Sequence, residues 1–233
     1  MKKENFLAII TARAGSKGIK NKNLKTINGK PLIYFPIISA LNSKYISRVI
    51  VSTDSKKIAN LSKKYGAEVP YIRPTSIAKD TTPSYDVIKH CLNYIDINNT
   101  GFKYFILLEP TSPMTSYNDI DYAINNFLKS TKAKALIGVS QLEGTHPDFL
   151  VSINKKGFIQ PYKTKKFKIS RRQDISKLFF YNGSMYISEI KTYLRKQTFL
   201  HDKTLPYIMN KKHSFEIDDM IDLKILRTLL KNK

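Results

Sequence analysis

One cysteine and no tryptophan occur among 233 residues, and acids are scarce: 18 Asp and Glu against 40 Lys and Arg. The lone thiol, Cys91, excludes an intramolecular disulfide and fits a reducing, cytoplasmic setting. Four scattered histidines offer no zinc-ligand spacing with it. No apolar run approaches the roughly 18 residues that a membrane span needs, so no membrane partner is expected. The stretch Phe6–Ala12 behind Met1-Lys2-Lys3 is at the lower limit for a secretory apolar core. It meets Arg13 and Lys17 in place of a cleavage site, which speaks against a signal peptide. Also missing are G-x-x-x-x-G-K-[ST] and G-x-G-x-x-G, which weakens a P-loop or a dinucleotide reading.

What is present is positive charge, +22 in sum. Such an excess favours a polyanionic partner: nucleic acid, an anionic membrane or a phosphorylated substrate. The lysines are spread over every segment, so charge alone does not choose between them. A nucleic-acid reading lacks an RNP-type aromatic block and a helix-turn-helix pattern, and no nucleic-acid partner is expected.

Short apolar runs alternate with helical periodicity through the first 140 or so residues. Phe6–Ala12, Arg48–Ser52, Tyr104–Leu108 and Ala135–Ser140 read as buried strands. Lys56–Tyr65, Tyr85–Ile95 and Asn118–Leu128 read as amphipathic helices, with a further helix starting near Pro31 and troubled by Pro36. This alternation predicts an α/β fold with a mostly parallel sheet and helices on both faces. From Gln141 to Asn182 the rhythm breaks into a hairpin around Asn154–Gly157 and a basic stretch, Lys163–Arg172. We read 1–233 as one domain with 141–182 as an excursion, a dimerisation arm. Ser184–Ser188, Glu189–Lys196, Tyr207–Asn210 and Met220–Leu230 then resume the strand and helix pattern.

The segment after the first strand, "ARAGSKGIKNKN" (Ala12–Asn23), carries Arg13, Lys17, Lys20 and Lys22 with Gly15 and Gly18. A solvated charged loop is the plain interpretation. Its position argues otherwise, since ligands of open α/β sheets bind beyond the carboxyl ends of strands and glycine-bearing loops there present amides to phosphate. Near the other end, Glu216 and Asp218 alternate on an extended segment and should share a face, as Mg²⁺ ligands would. Capping of the last helix by Asp218 or Asp219 is the competing use, and both can hold at once. Asp80 either caps the Tyr85 helix or orders its own loop.

The run "AIITARAGSKGIKNKNL" closely resembles the signature loop of bacterial CMP-sialic acid synthetases (acylneuraminate cytidylyltransferases). "VIVSTDS", "RPTSIAKDTT", "LLEPTSP", "YNGSMYI" and "SFEIDDMIDL" follow in the family's order. Kdo cytidylyltransferases lack the first run and are a weaker match; activation of Kdo or legionaminic acid is the alternative. The resemblance implies a Rossmann-like nucleotidyltransferase sheet, a cytoplasmic homodimer, CTP and a nonulosonic acid as substrates, and Mg²⁺ as cofactor. It implies that Arg13, Ser16, Lys17, Lys22 and Asn23 line the triphosphate, with Arg13, Lys17 and Asp218 catalytic. Arg73 would contact the nucleotide, and Thr82 and Ser84 would border the cytosine. Glu109, Arg172, Tyr186, Phe199 and Leu200 would face the sugar, and Asp218 with Glu216 would hold the metal. The chain departs from the family pattern at Glu109, usually Gln, at Thr115, usually Arg, and at Glu216, usually Asp.

Overall fold

The computed structural model describes residues 5–16, 18–142, 146–162 and 176–231. Lys17 and Arg172 lie outside the described residues, so nothing is added to their expected roles. In chain order the elements are β1 (Phe6–Thr11), β2 (Thr26–Ile27), β3 (Lys30–Pro31), α1 (Tyr34–Leu41), β4 (Ile46–Ser52), α2 (Lys56–Lys64), α3 (Ser84–Tyr94), α4 (Ile97–Thr100) and β5 (Tyr104–Leu108). There follow α5 (Tyr117–Lys129), β6 (Ala135–Gln141), β7 (Val151–Ile153), β8 (Ile159–Pro161), β9 (Phe179–Glu189), α6 (Ile190–Lys196), β10 (Thr204–Ile208) and α7 (Met220–Lys231).

Six strands form one sheet in the order β10-β6-β9-β5-β1-β4. β1 runs parallel to β4 and β5, and β10 parallel to β6, while β9 is antiparallel to both its neighbours. Alternation along β1 explains why both faces must be covered. Phe6, Ala8 and Ile10 enter one apolar cluster with residues of α1, α2 and α5, whereas Leu7 and Ile9 enter another with residues of α3 and α6.

Several sequence expectations move at their edges. α1 begins at Tyr34, so Pro36 falls in its first turn, where backbone N–H groups have no helical acceptor to lose. β9 spans Phe179–Glu189 and pairs Phe179 with Gln141, which places Gln141 and 179–182 in the main sheet. The excursion therefore leaves the sheet after Gln141 and rejoins it at Phe179; its described part holds the β7–β8 hairpin. β10 starts three residues before the expected Tyr207. The small β2–β3 hairpin was not foreseen, although its Asn28-Gly29 turn is a strong hairpin signal.

A third cluster decides where the site can form. Ile19, Ile27, Leu32, Met114, Ile217 and Leu223 pack together, joining the opening loop, the β2–β3 hairpin, the segment after β5 and the start of α7. Asn28 Nδ2 donates to the Leu230 carbonyl at 3.3 Å and Arg227 to the Thr26 carbonyl at 3.4 Å. The two ends of the chain are thereby held against each other over the carboxyl edge of the sheet.

Candidate active site

A cleft of about 480 Å³ opens beyond the carboxyl ends of β1 and β5, lined by Thr11, Arg13, Ser16, Lys22, Arg73 and Asp218 among others. Asn23 and Glu109 also reach it, as do Gly18, Pro110 and Thr111. The backbone of the opening loop is pinned from two sides. Asn23 Nδ2 donates to the Arg13 carbonyl at 2.9 Å, and the Ala14 amide donates to Asp54 Oδ1 at 2.7 Å. The Arg13 guanidinium forms an ion pair with Asp80. Gly18 lies against the Asp218 carbonyl so closely that any side chain there would collide with backbone.

Two other cations of the cleft are held in place. Arg73 Nε donates to Ser52 Oγ at 3.2 Å, and its Nη2 donates to the Ser52 carbonyl. Burial pulls the Arg73 pKa below the usual arginine value, with Arg13 adding to the effect and Asp54 opposing it. Lys22 Nζ donates to the Ile217 carbonyl at 2.7 Å and lies 3.4 Å from Asp218 Oδ1. Residues some two hundred positions apart thus meet in one basic cleft, a suitable cradle for a polyphosphate.

The two carboxylates near the C-terminus behave differently. Asp218 is exposed and lines the cleft, whereas Glu216 is partly buried and lines a neighbouring groove with Ser140, Phe180 and Phe215. Ile217 between them is fully buried, as alternation requires, but the two carboxylates open onto different cavities, so the shared face expected of paired metal ligands is not what the structure shows. Helix capping falls to Asp219, whose Oδ1 accepts from the amides of Ile221 and Asp222 at 2.7 and 3.0 Å. Asp222 in turn accepts from the amides of Asp218 and Asp219. Asp218 is left with its carboxylate turned to the cleft. Among the described residues no group of three or more carboxylate, imidazole or thiol side chains is arranged to hold a metal ion. One or two carboxylates fit Mg²⁺, which completes its shell with phosphate oxygens and water, better than a resident cation that needs an all-protein cage.

Glu109 stands between the cleft and a second pocket of about 290 Å³, lined with Ser84, Tyr85, Tyr186, Tyr193 and Phe199. Phe199 packs on Tyr186 and Tyr193 with ring centroids 5.2 and 4.5 Å apart. Burial first, and the nearby Glu216 second, push the Glu109 pKa from 4.5 up to about 7; Thr111 and Lys22 oppose this. Burial and Asp218 likewise raise that of Glu216. Gly183, at φ 33°, lets the Glu216 carboxylate approach the strand backbone where a β-carbon would clash with it.

The expected residues are thus partly gathered. Arg13, Ser16, Lys22, Asn23, Arg73 and Asp218 share the cleft, and Glu109, Tyr186 and Phe199 share the aromatic pocket. Ser84 faces the aromatic pocket, not the cleft, and Thr82 lines neither. Leu200 is 53% exposed and stands outside that lining. Thr115 is buried, its carbonyl accepting from Ser39 of α1, so it does not line the cleft. Thr11, Gly18, Pro110 and Thr111 were missed; their signal was their position at or just beyond the ends of buried strands, or within the opening loop itself.

A profile of the family described as Cytidylyltransferase matches residues 7–232. The CMP-N,N'-diacetyllegionaminic acid synthase of Legionella pneumophila is 32% identical over 97% of this chain and 96% of its own length. The N-acylneuraminate cytidylyltransferase of Escherichia coli O18:K1:H7 is 31% identical over 98% of the chain, which spans only 52% of that longer protein. A CMP:2-keto-3-deoxy-manno-octonic acid synthetase solved in complex with CTP superposes with a TM-score of 0.69, covering 98% of this chain and 99% of that one. At 16% identity this last likeness concerns the fold. With nearly its whole length matched and a basic cleft at the carboxyl edge of its sheet, this chain belongs to the cytidylyltransferase family.

Proposed function

We propose that this protein transfers the cytidylyl group of CTP to the anomeric hydroxyl of a nonulosonic acid, sialic acid or a relative such as legionaminic acid. The observation that carries this reading is the meeting of two cavities at Glu109, a basic cleft on one side and an aromatic pocket on the other. The names of the relatives supply the substrate class. The hydroxyl oxygen forms a bond to the α-phosphorus while the bond to the bridging oxygen breaks, and pyrophosphate departs with that oxygen. The hydroxyl proton passes to solvent.

Positioning and charge neutralisation carry most of such a step. Arg13, Lys22 and Arg73 line the cleft with cations whose orientation is already set, so little reorganisation is needed as charge builds on the leaving pyrophosphate. Ser16 and Asn23 add hydrogen-bonding groups at the same wall. Asp218 would hold a Mg²⁺ that arrives with the nucleotide, with Glu216 behind it in the neighbouring groove adding negative charge; the ion would supply charge neutralisation and lower the pKa of the attacking hydroxyl. Tyr186 and Phe199 offer apolar surface to the sugar's acyl groups, and Glu109 selects for donors on it. A substrate such as CTP and the single thiol, Cys91, support a cytoplasmic setting for the reaction. No helix of the described residues is long and apolar enough to cross a membrane.

The decisive experiment is pyrophosphate release from CTP with a panel of nonulosonic acids, and with Kdo for comparison. Turnover with at least one nonulosonic acid is expected, and none across the panel would overturn the reading.

The excursion supports a two-fold dimer, the commonest symmetry of oligomers. Its hairpin exposes Val151, Ile153, Phe158 and Ile159, with Ile153 at 74%, a run of apolar surface that a second copy would cover. Sedimentation at micromolar concentration should show a dimer; a fully active monomer would contradict it.

A further inference from the structure

The three described cations of the cleft are oriented by different means. Arg73 is tied to Ser52, within the sheet edge, and Lys22 to the Ile217 carbonyl. Arg13 differs in that its carbonyl is held by Asn23 and the next amide, of Ala14, by Asp54, while its long side chain ends on a carboxylate from another loop. That carboxylate, Asp80, sits in the turn Lys79–Thr82, closed by the Thr82 amide donating to the Lys79 carbonyl at 3.1 Å. The turn leads through Pro83 into α3, whose first residue, Ser84, lines the aromatic pocket. Asp80 itself is not part of the cleft lining.

We propose that Asp80 is a positioning residue for the transfer step: it aims the Arg13 guanidinium into the cleft and ties the opening loop to the turn ahead of α3. The inference rests on the cytidylyltransferase reading of the cleft. Arg13 and Asp80 side chains are 33% and 31% exposed, so water screens the pair and its value lies in orientation, not stability. A free arginine side chain samples many rotamers, and holding it beforehand removes that cost from the reaction itself. The charge of Asp80 has the opposite effect on binding, since a carboxylate behind Arg13 weakens the pull on an incoming triphosphate. Orientation and attraction therefore separate in the kinetics.

Asp80→Asn should lower kcat about tenfold, an effect typical of modest misplacement of a catalytic group, without raising the KM for CTP. Arg13→Ala should lose roughly a hundredfold or more. The double variant Arg13→Ala/Asp80→Asn should be no slower than Arg13→Ala alone, because Asp80 acts through Arg13. Asp80→Glu, which keeps the charge, should recover most of the lost kcat. The melting temperature of each variant is read alongside. An independent tenfold loss in the double variant, a raised KM, or wild-type kcat in Asp80→Asn would each overturn the proposal. So would failure of Asp80→Glu to recover kcat while its melting temperature matches wild type. A wild-type protein that releases no pyrophosphate from CTP would instead overturn the underlying cytidylyltransferase reading, which keeps the two failures apart.

Discussion

Asp218→Asn should reduce CTP turnover by about three powers of ten while leaving the stability of the protein within about 0.5 kcal/mol of wild type. The two halves of this expectation come from separate parts of one short segment. The Asp218 side chain is 84% exposed, and its contact with Lys22 is a long 3.4 Å, so its removal costs the fold little. The start of α7 is secured instead by Asp219 and Asp222, which satisfy the amides of Asp218, Asp219, Ile221 and Asp222. An amide at position 218 keeps the shape but removes the charge facing the cleft, and with it the anionic oxygen that the proposed Mg²⁺ would use. Activity as a function of Mg²⁺ concentration, with melting curves for both proteins, checks this. Retained activity with a large fall in melting temperature would reduce Asp218 to a structural role.

The contrast between neighbours in that segment shows what a sequence can and cannot convey. Alternation about buried Ile217 was legible, because period two is a local property. That Asp218 would meet Lys22 while Glu216 turned to Gly183 was not, since those partners are brought together by the third apolar cluster and by sheet order. The same distinction runs through the fold. β1, β5 and β6 announced themselves as buried runs, but the exposed aromatic start of β9, Phe179-Phe180-Tyr181, carries no such signature. It is a strand because β6 offers it a paired edge. Likewise Asp80 looked in sequence like a cap or a loop organiser, and its partner Arg13, in a loop far earlier in the chain, gives it a different meaning. The Asn28-Gly29 hairpin is the opposite case, a local signal that was present and overlooked.

Glu109 combines a local departure from the family pattern with a global setting, and its substitution should be read in two ways. Its folded pKa of about 7 lies above the ordinary 4.5, chiefly through burial, so folding favours the protonated form. The folded protein therefore binds more protons between those values. The contribution is fully present below pH 4.5 and fades as pH rises through about 7. Glu109→Gln keeps the shape without the charge, and should be the more stable protein at pH 8 by up to about 3 kcal/mol, with the difference vanishing near pH 4. Melting temperatures of both proteins across this range measure it, and a pH-independent difference would show that the carboxyl does not titrate between its two states. The second reading concerns the substrate. An ionised carboxylate only accepts hydrogen bonds, whereas glutamine both donates and accepts. Placed where cleft and aromatic pocket meet, Glu109 would, once ionised above about pH 7, repel a bare anionic sugar and favour one that turns an amino group or several hydroxyls toward it, because charge-assisted bonds are the stronger kind. Thr115, buried under α1, does not line the cleft and supplies no compensating charge there. In Glu109→Gln the ratio of kcat/KM between an amino-bearing nonulosonic acid and N-acetylneuraminate should fall about tenfold, the loss of one charge-assisted bond. An unchanged ratio would remove Glu109 from sugar selection and leave it with the electrostatic effect on stability alone.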